Sequence, residues 1–418
     1  MLKTWLVLLV GLILAIPGVG AASQQEVLDS LIQSALDRNP ELSAARNSLE
    51  AVSNAARGAG ALPDPMLTVG IMNLPANSFA FDETPMSGVS VGFAQKIPWP
   101  SKLRSRTALA RARISEHTAR EQMVESRIVR EVTEAYLDYA YWTGSRPIIE
   151  ELLEYLNAAK AIAQENYANG KSSARDFLSV ASKVSRAELR LLKVEQRGYA
   201  ALLQLRRAVG DSSLSDALPA LLSDPNDNQP GSFSIDGSPR LSRSMAAVKE
   251  AETKRRLARS DFSPDLTLGV DYRFRQTLPG DPVKGADYVS FKVGLSLPLW
   301  FFAKQNHNLR SRQQAVIASQ ESERSVRDQL AARHQELLSN LQFVAESLRK
   351  YDSSIIPETK ASLDAAEVAY EVGEVDFKTL LSANADVFEI NIERLDLLRQ
   401  YHRTRAALNE LVGTPHER

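Results

Sequence analysis

The chain has 418 residues, 50 basic and 51 acidic, a formal net charge of -1, and no cysteine. That balance gives no electrostatic hold on nucleic acid or any strongly charged partner. The missing cysteine excludes disulfides, thiolate metal sites and a lipid-modified amino-terminal cysteine.

Met1-Leu2-Lys3, the apolar stretch Thr4–Ile16 and the small residues Pro17–Ala22 form a leader with cleavage expected after Ala21 or Ala22. A retained membrane anchor is the alternative reading, which the shortness of the apolar stretch disfavours. Beyond residue 22 no apolar run has the length of a spanning helix, so any membrane crossing has to be made by strands.

Gln25–Arg38 and Glu41–Gly60 read as two helices parted by Asn39-Pro40, since proline starts a helix but breaks its interior. A hairpin at about 66–97 follows, its strands joined by the breaker-rich loop Leu74–Ser87. From Ser101 to Asn169 one interruption stands out, Gly144-Ser145-Arg146-Pro147. Continuous or slightly broken, this helix would be roughly 100 Å long at 1.5 Å per residue. Tyr167-Ala168-Asn169-Gly170 caps it, and a return helix runs from about Ala174 to Val209.

A Pro/Asn/Asp/Gly linker spans 212–237, with a short amphipathic piece, Leu214–Leu222, ahead of its breakers. Then the text restarts. Ser238-Pro239, Pro264 and Gly269 echo Asn39-Pro40, Pro65 and Gly70 at an offset of 199; Tyr370, Gly373 and Val412-Gly413 echo Tyr167, Gly170 and Val209-Gly210 at 203. So steady an offset marks a tandem duplication: a first repeat over 23–211 and a second over 238–418, with a hairpin at about 264–298 and a long helix at about 301–372. On that helix Leu330, His334, Leu337, Leu341, Val344 and Leu348 make a heptad seam. His334 reads as a polar residue that sets register, a metal or proton role being the alternative.

In the second hairpin Leu266, Leu268, Val270, Tyr272 and Phe274 alternate with Thr267, Gly269, Asp271, Arg273 and Arg275. The return strand alternates likewise from Val289 to Leu297. This is the pattern of a membrane β-barrel strand, and also of a hairpin laid on a soluble helical core. Trp99 and Trp300 stand at the same end of both hairpins, where an aromatic belt would sit. Four strands cannot close a barrel, whereas a homotrimer would supply twelve and gather the helices into a tube. The expected fold is therefore mainly α with a small β part: long antiparallel helical hairpins forming a trimeric α-barrel, plus four strands per chain in a 12-stranded transmembrane β-barrel.

Several motifs carry a resemblance. Tyr167-x-x-Gly170 precedes Asp176-Phe177-Leu178, and Tyr370-x-x-Gly373 precedes Phe377-Lys378-Thr379-Leu380-Leu381. With the duplicated hairpin-and-helix plan, they make the chain similar to the TolC-like outer-membrane efflux proteins from about Gln25 to Pro415. Leu62-Pro63-Asp64-Pro65, Asn73-Leu74-Pro75 and the run Gln95 to Lys102 resemble the heavy-metal branch of CzcC- and CusC-like proteins. The resemblance implies an outer-membrane exit duct with a large periplasmic part, a periplasmic adaptor (membrane fusion protein) and an inner-membrane pump of the RND type as partners, and lipid around the strands. It implies adaptor contact at Gly170, Lys171, Gly373 and Glu374, and a gate at Asp176, Tyr370 and Asp376. It departs from the family pattern at Thr379 and Ser382, where that pattern carries acidic residues. A cation-selecting aspartate ring is therefore not implied there, although Glu374 and Asp376 bring acidic charge near the mouth.

No phosphate loop, nucleophile motif or histidine cluster points to catalysis, and no cofactor is expected. Met66, Met72 and Met86 cluster in the first hairpin, but without histidine or cysteine they read as apolar filler rather than a soft-metal site. The competing class is a periplasmic coiled-coil scaffold or adaptor without a pore. It accounts for the heptads but leaves the apolar hairpin faces unexplained.

Overall fold

The computed structural model describes residues 21–413 apart from 171, 216–217, 219–221, 223, 226–233 and 283. Most of the expected leader 1–22, Lys171, much of Leu214–Leu222 and the linker's Asn/Pro stretch lie outside the described residues.

In chain order the elements are α1 (Ala21–Arg38), α2 (Pro40–Gly58), β1 (Met66–Met72), β2 (Gly88–Ile97), α3 (Pro100–Ala168) and α4 (Ala174–Val209). The second half adds α5 (Pro239–Ser260), β3 (Asp265–Arg275), β4 (Tyr288–Ser296), α6 (Gln305–Lys350), α7 (Ile356–Glu371) and α8 (Phe377–Val412). The described residues fall into two compact units, one from 21–44, 122–239 and 328–413 and one from 45–121 and 240–327.

The first unit is helical, and its cores follow the heptad spacing. Leu337, Leu341, Val344 and Leu348 of α6 pack with Leu398, Tyr401 and Leu408 of α8. Each fully buried leucine stabilises by about 1.5–3 kcal/mol. His334 sits half-buried on the same helix, and its Nε2 has no hydrogen-bond partner among the described residues. A second core joins the repeats: Leu152, Leu156, Ala159 and Ala163 of α3, Val180, Val184 and Ala187 of α4, and Leu381 and Phe388 of α8.

Both return helices end on left-handed glycines, Gly210 and Gly413, each at φ 73°. Each lies against the start of its own repeat. Gly210 is beside Arg38, which pairs with Asp211 at 2.7 Å, and Gly413 is so close to Pro239 that a Cβ would sit 2.5 Å from its ring.

The two prolines inside the long helices behave differently. α3 runs unbroken through Gly144–Pro147. Thr143 Oγ1 and Ser145 Oγ donate back to the Tyr139 and Tyr141 carbonyls at 2.8 and 2.7 Å, and Ser145 is buried, so packing on both sides of Pro147 holds the helix in line. The second long helix, read as 301–372, starts at Gln305 and passes through a π-helical turn, Tyr351–Ile355, just before Pro357. A wider turn absorbs the hydrogen bond that proline cannot donate. Side chains tie this turn down: Tyr351 donates to Glu393 at 2.7 Å, and Arg394 bridges Asp352 at 2.6 Å and Asp224 of the linker at 2.5 Å.

The second unit holds one antiparallel sheet in the order β1-β2-β3-β4, so β2 pairs with β3 and joins the hairpins of the two repeats. Helical residues of the same unit are stitched by Arg113–Glu250 at 3.2 Å and Arg243–Glu116 at 2.8 Å.

Candidate functional site

The register of the sheet sorts its two faces. One row runs Leu67, Phe93, Val270, Phe291 and the next Val69, Val91, Tyr272, Val289, each crossing all four strands. This face is open: Phe291 is 83 % exposed and Val293 72 %. A dozen such side chains left in water would cost on the order of 20 kcal/mol, more than the whole stability of a typical domain. The face therefore requires an apolar covering. The opposite face carries Thr68, Gly92, Asp271 and Ser290 in one row and Met66, Ala94, Gly269 and Lys292 in another. Met72 lies on this polar face too, and Met86 stands in the loop. Among the described residues no further strand pairs with β1 or β4.

β2 and β4 both end beside the start of β3, through the pairs Ile97–Leu266 and Ser296–Asp265. Trp99 and Trp300 thus stand at the same end of the sheet, 47 % and 78 % exposed, and Phe302 is exposed beside Trp300. The motif that precedes them converges on one carboxylate that sequence reasoning missed. Asp265 accepts from the Trp99 backbone N–H at 3.4 Å, pairs with Lys96 at 3.2 Å and with the buried Lys102 at 2.7 Å. Gln95, the polar residue on the apolar face, donates to the Pro63 carbonyl at 2.8 Å. Only the register, which brings residue 265 beside residues 96–102, could have revealed this knot.

At the other end of the strands Arg275 joins the two loops. Its guanidinium donates to the Pro85 carbonyl at 2.5 Å, the Ala286 carbonyl at 3.1 Å and the Asp281 carboxylate at 3.0 Å, with both charged side chains 1 % exposed. The Pro85 contact, which spans 190 residues, was not visible from sequence spacing.

The helix-to-helix turns lie in the first unit. Gly170 and Gly373 take φ 67° and 80°, and a Cβ on either would meet nothing within 4 Å, so conformation and not space selects glycine. Beside each turn two rings pair: Tyr167 with Phe177 at 6.4 Å and Tyr370 with Phe377 at 5.7 Å. Glu374 is exposed. Asp176 closes a capping box with Ser173, and Asp376 is itself the N-cap of α8. The Thr379 hydroxyl and backbone N–H hold the Asp376 carboxyl below its usual range. Tyr155, which packs on the same core as Phe377, is pushed up to about 12 by burial and by the charge of Glu367. Partial burial, then Asp364 and Glu371, raise Glu367 itself. Asp176, Tyr370 and Asp376 therefore share the turn region, and each has a local structural partner there.

α4 leaves a second apolar surface uncovered: Leu189, Leu192, Tyr199 and Leu203 are all exposed at heptad-compatible steps. Among the described residues no cluster of His, Cys, Asp and Glu could hold a metal ion, and no helix is long and apolar enough to cross a membrane.

A model of the outer membrane efflux protein family matches residues 31–211 and again 234–414. The cobalt-zinc-cadmium resistance protein CzcC of Cupriavidus metallidurans is 22 % identical over 179 residues, 43 % of this chain and 41 % of that protein. The match thus spans less than half the length of that relative. Among solved structures, the outer membrane protein VceC of Vibrio cholerae superposes with a TM-score of 0.77 at 16 % identity, over 94 % of this chain and 98 % of that one. CusC, whose structures concern transmembrane channel formation, gives 0.75 at 17 % identity over 93 % and 92 %.

Proposed function

The chain belongs to the outer membrane efflux protein family, a family of efflux proteins of the outer membrane rather than of enzymes, and on that premise we propose that three copies form one exit duct. The observation that carries this reading is the sheet: an exposed apolar face that lipid would cover, and two edges, β1 and β4, that a neighbouring copy would pair. Three copies supply twelve strands to a closed barrel. The uncovered heptad stripe of α4 gives the helices a matching reason to pack against another copy. A periplasmic coiled-coil scaffold or adaptor without a pore leaves the apolar face of the sheet in water.

In this duct the helices line a periplasmic tunnel, and the turns at Gly170 and Gly373, with Lys171 and Glu374, meet a periplasmic adaptor. The adaptor links the duct to an inner-membrane pump of the RND type. Asp176, Tyr370 and Asp376 hold the turn region shut until the adaptor docks. Their caps and ring pairs, which fix the starts of α4 and α8, support this role. The likeness to CzcC supports heavy-metal ions as the substrate class. Trp99 and Trp300 anchor the barrel at the periplasmic membrane interface.

Because the chain has no cysteine, introduced thiols report one contact each. Pairs placed on β1, at Val69, and along β4, at Val289, Phe291 and Val293, are expected to cross-link copies into a ladder that ends at three chains. Absence of any inter-chain product at all registers would remove the barrel. Tyr370→Ala with Asp176→Ala is expected to raise single-channel conductance, and unchanged conductance would take those residues out of the gate.

A further inference from the structure

The polar face of the sheet is built almost wholly of small neutral residues. In its three central rows the charged side chains are Asp271, Lys292 and Arg273, the last in the row Gly70, Ser90, Arg273, Tyr288. Gly92 seats Asp271: a Cβ there would lie 2.4 Å from the Asp271 Oδ1, so the carboxylate rests on the bare backbone of β2. In that position it pairs with Lys292 at 2.7 Å. The pair cancels, and Arg273 has no ion-pair partner among the described residues. Its stem packs at Gly88, where a Cβ would lie 3.2 Å from the Arg273 Cγ. At the end of the strands Arg275 is neutralised by Asp281, and at the other end Lys96 and Lys102 share Asp265. In these three rows Arg273 is therefore the charged side chain without an opposite charge paired to it, and it stands in the row nearest the loop end of the strands.

We propose that Arg273 biases the strand-lined part of the duct toward anions and against cations. The inference rests on the trimeric barrel, in which this face lines the lumen and three guanidinium groups form one ring. A low-dielectric wall focuses such a field into the pore, and the other residues of its row, Gly70, Ser90 and Tyr288, carry no charge to oppose it. Free divalent metal cations would cross this ring against its field, whereas anionic complexes would cross with it.

The test is the reversal potential of the full-length protein in planar bilayers under a potassium chloride gradient. Arg273→Gln is expected to shift the ratio of potassium to chloride permeability upward by about two- to threefold, with Arg273→Glu shifting it further and Arg273→Lys keeping the wild-type value. The shift should shrink at 1 M salt, where the screening length falls to about 3 Å. Conducting Gln and Glu variants with the wild-type reversal potential would overturn the proposal, as would a Lys variant that shifts as far as Gln. A wild-type protein that does not conduct at all would instead overturn the duct on which the proposal stands.

Discussion

Asp376 holds Thr379 twice, through the threonine backbone N–H at 2.8 Å and its hydroxyl at 2.6 Å. At the matching turn of the first repeat the partners are exchanged: Ser173 is the cap, and its hydroxyl donates to Asp176 at 2.7 Å. Duplication has kept the hydroxyl–carboxylate pair while swapping which residue supplies which group. Asp376→Ala should therefore speed amide exchange at the start of α8, and Asp376→Asn or Asp376→Ser should restore protection. Equal exchange in all three variants would mean that the cap contributes nothing.

The two turn glycines, Gly170 and Gly373, are selected by φ alone, since nothing lies within 4 Å of an added Cβ. Gly170→Ala or Gly373→Ala should each destabilise the turn by about 1 kcal/mol. Asn, which tolerates the left-handed region, should cost less, and a local exchange measurement separates the two.

The acid response of the turn region follows from two opposite shifts. Glu367 titrates above the ordinary carboxylate value, so the folded chain binds its proton first and stability rises as pH falls through that window. Asp376 titrates below it, so its contribution is complete above the ordinary value and is lost only when pH falls through the depressed one. As pH falls from neutral toward the ordinary carboxylate value the region should tighten, with slower amide exchange in α7 than the intrinsic pH dependence of exchange accounts for. Glu367→Gln should flatten that dependence.

Asp265 neutralises a buried lysine, so breaking the knot is costlier than removing it. Asp265→Asn leaves Lys102 buried without its counter-ion and should destabilise by about 3–5 kcal/mol. Adding Lys102→Met should recover most of that loss in thermal unfolding of the detergent-purified protein.

Much of the fold was legible because it is written in periodicities. The alternation of Leu266 to Phe274 gave strands, and the four-three spacing of Leu337 to Leu348 gave a packed seam that is buried as read. Less legible were features decided by distant partners. Pro147 looked like a break, but packing carries α3 through it, with Tyr141 and Ser145 buried before the proline and Ile149 and Leu152 after it. The π turn before Pro357 has no sequence mark beyond the proline. Asp265 and Arg275 gain meaning only from the pairing of β2 with β3, and the capping of Asp176 and Asp376 is local chemistry that a reading for gates passes over.

The central claim is that three copies make one conducting pore, and the most direct measurement joins mass to conductance. The full-length protein, purified from outer membranes in mild detergent, should have the mass of three chains and give discrete single-channel steps when added to a planar bilayer. A one-chain particle that stays in solution without detergent and leaves the bilayer silent would contradict it.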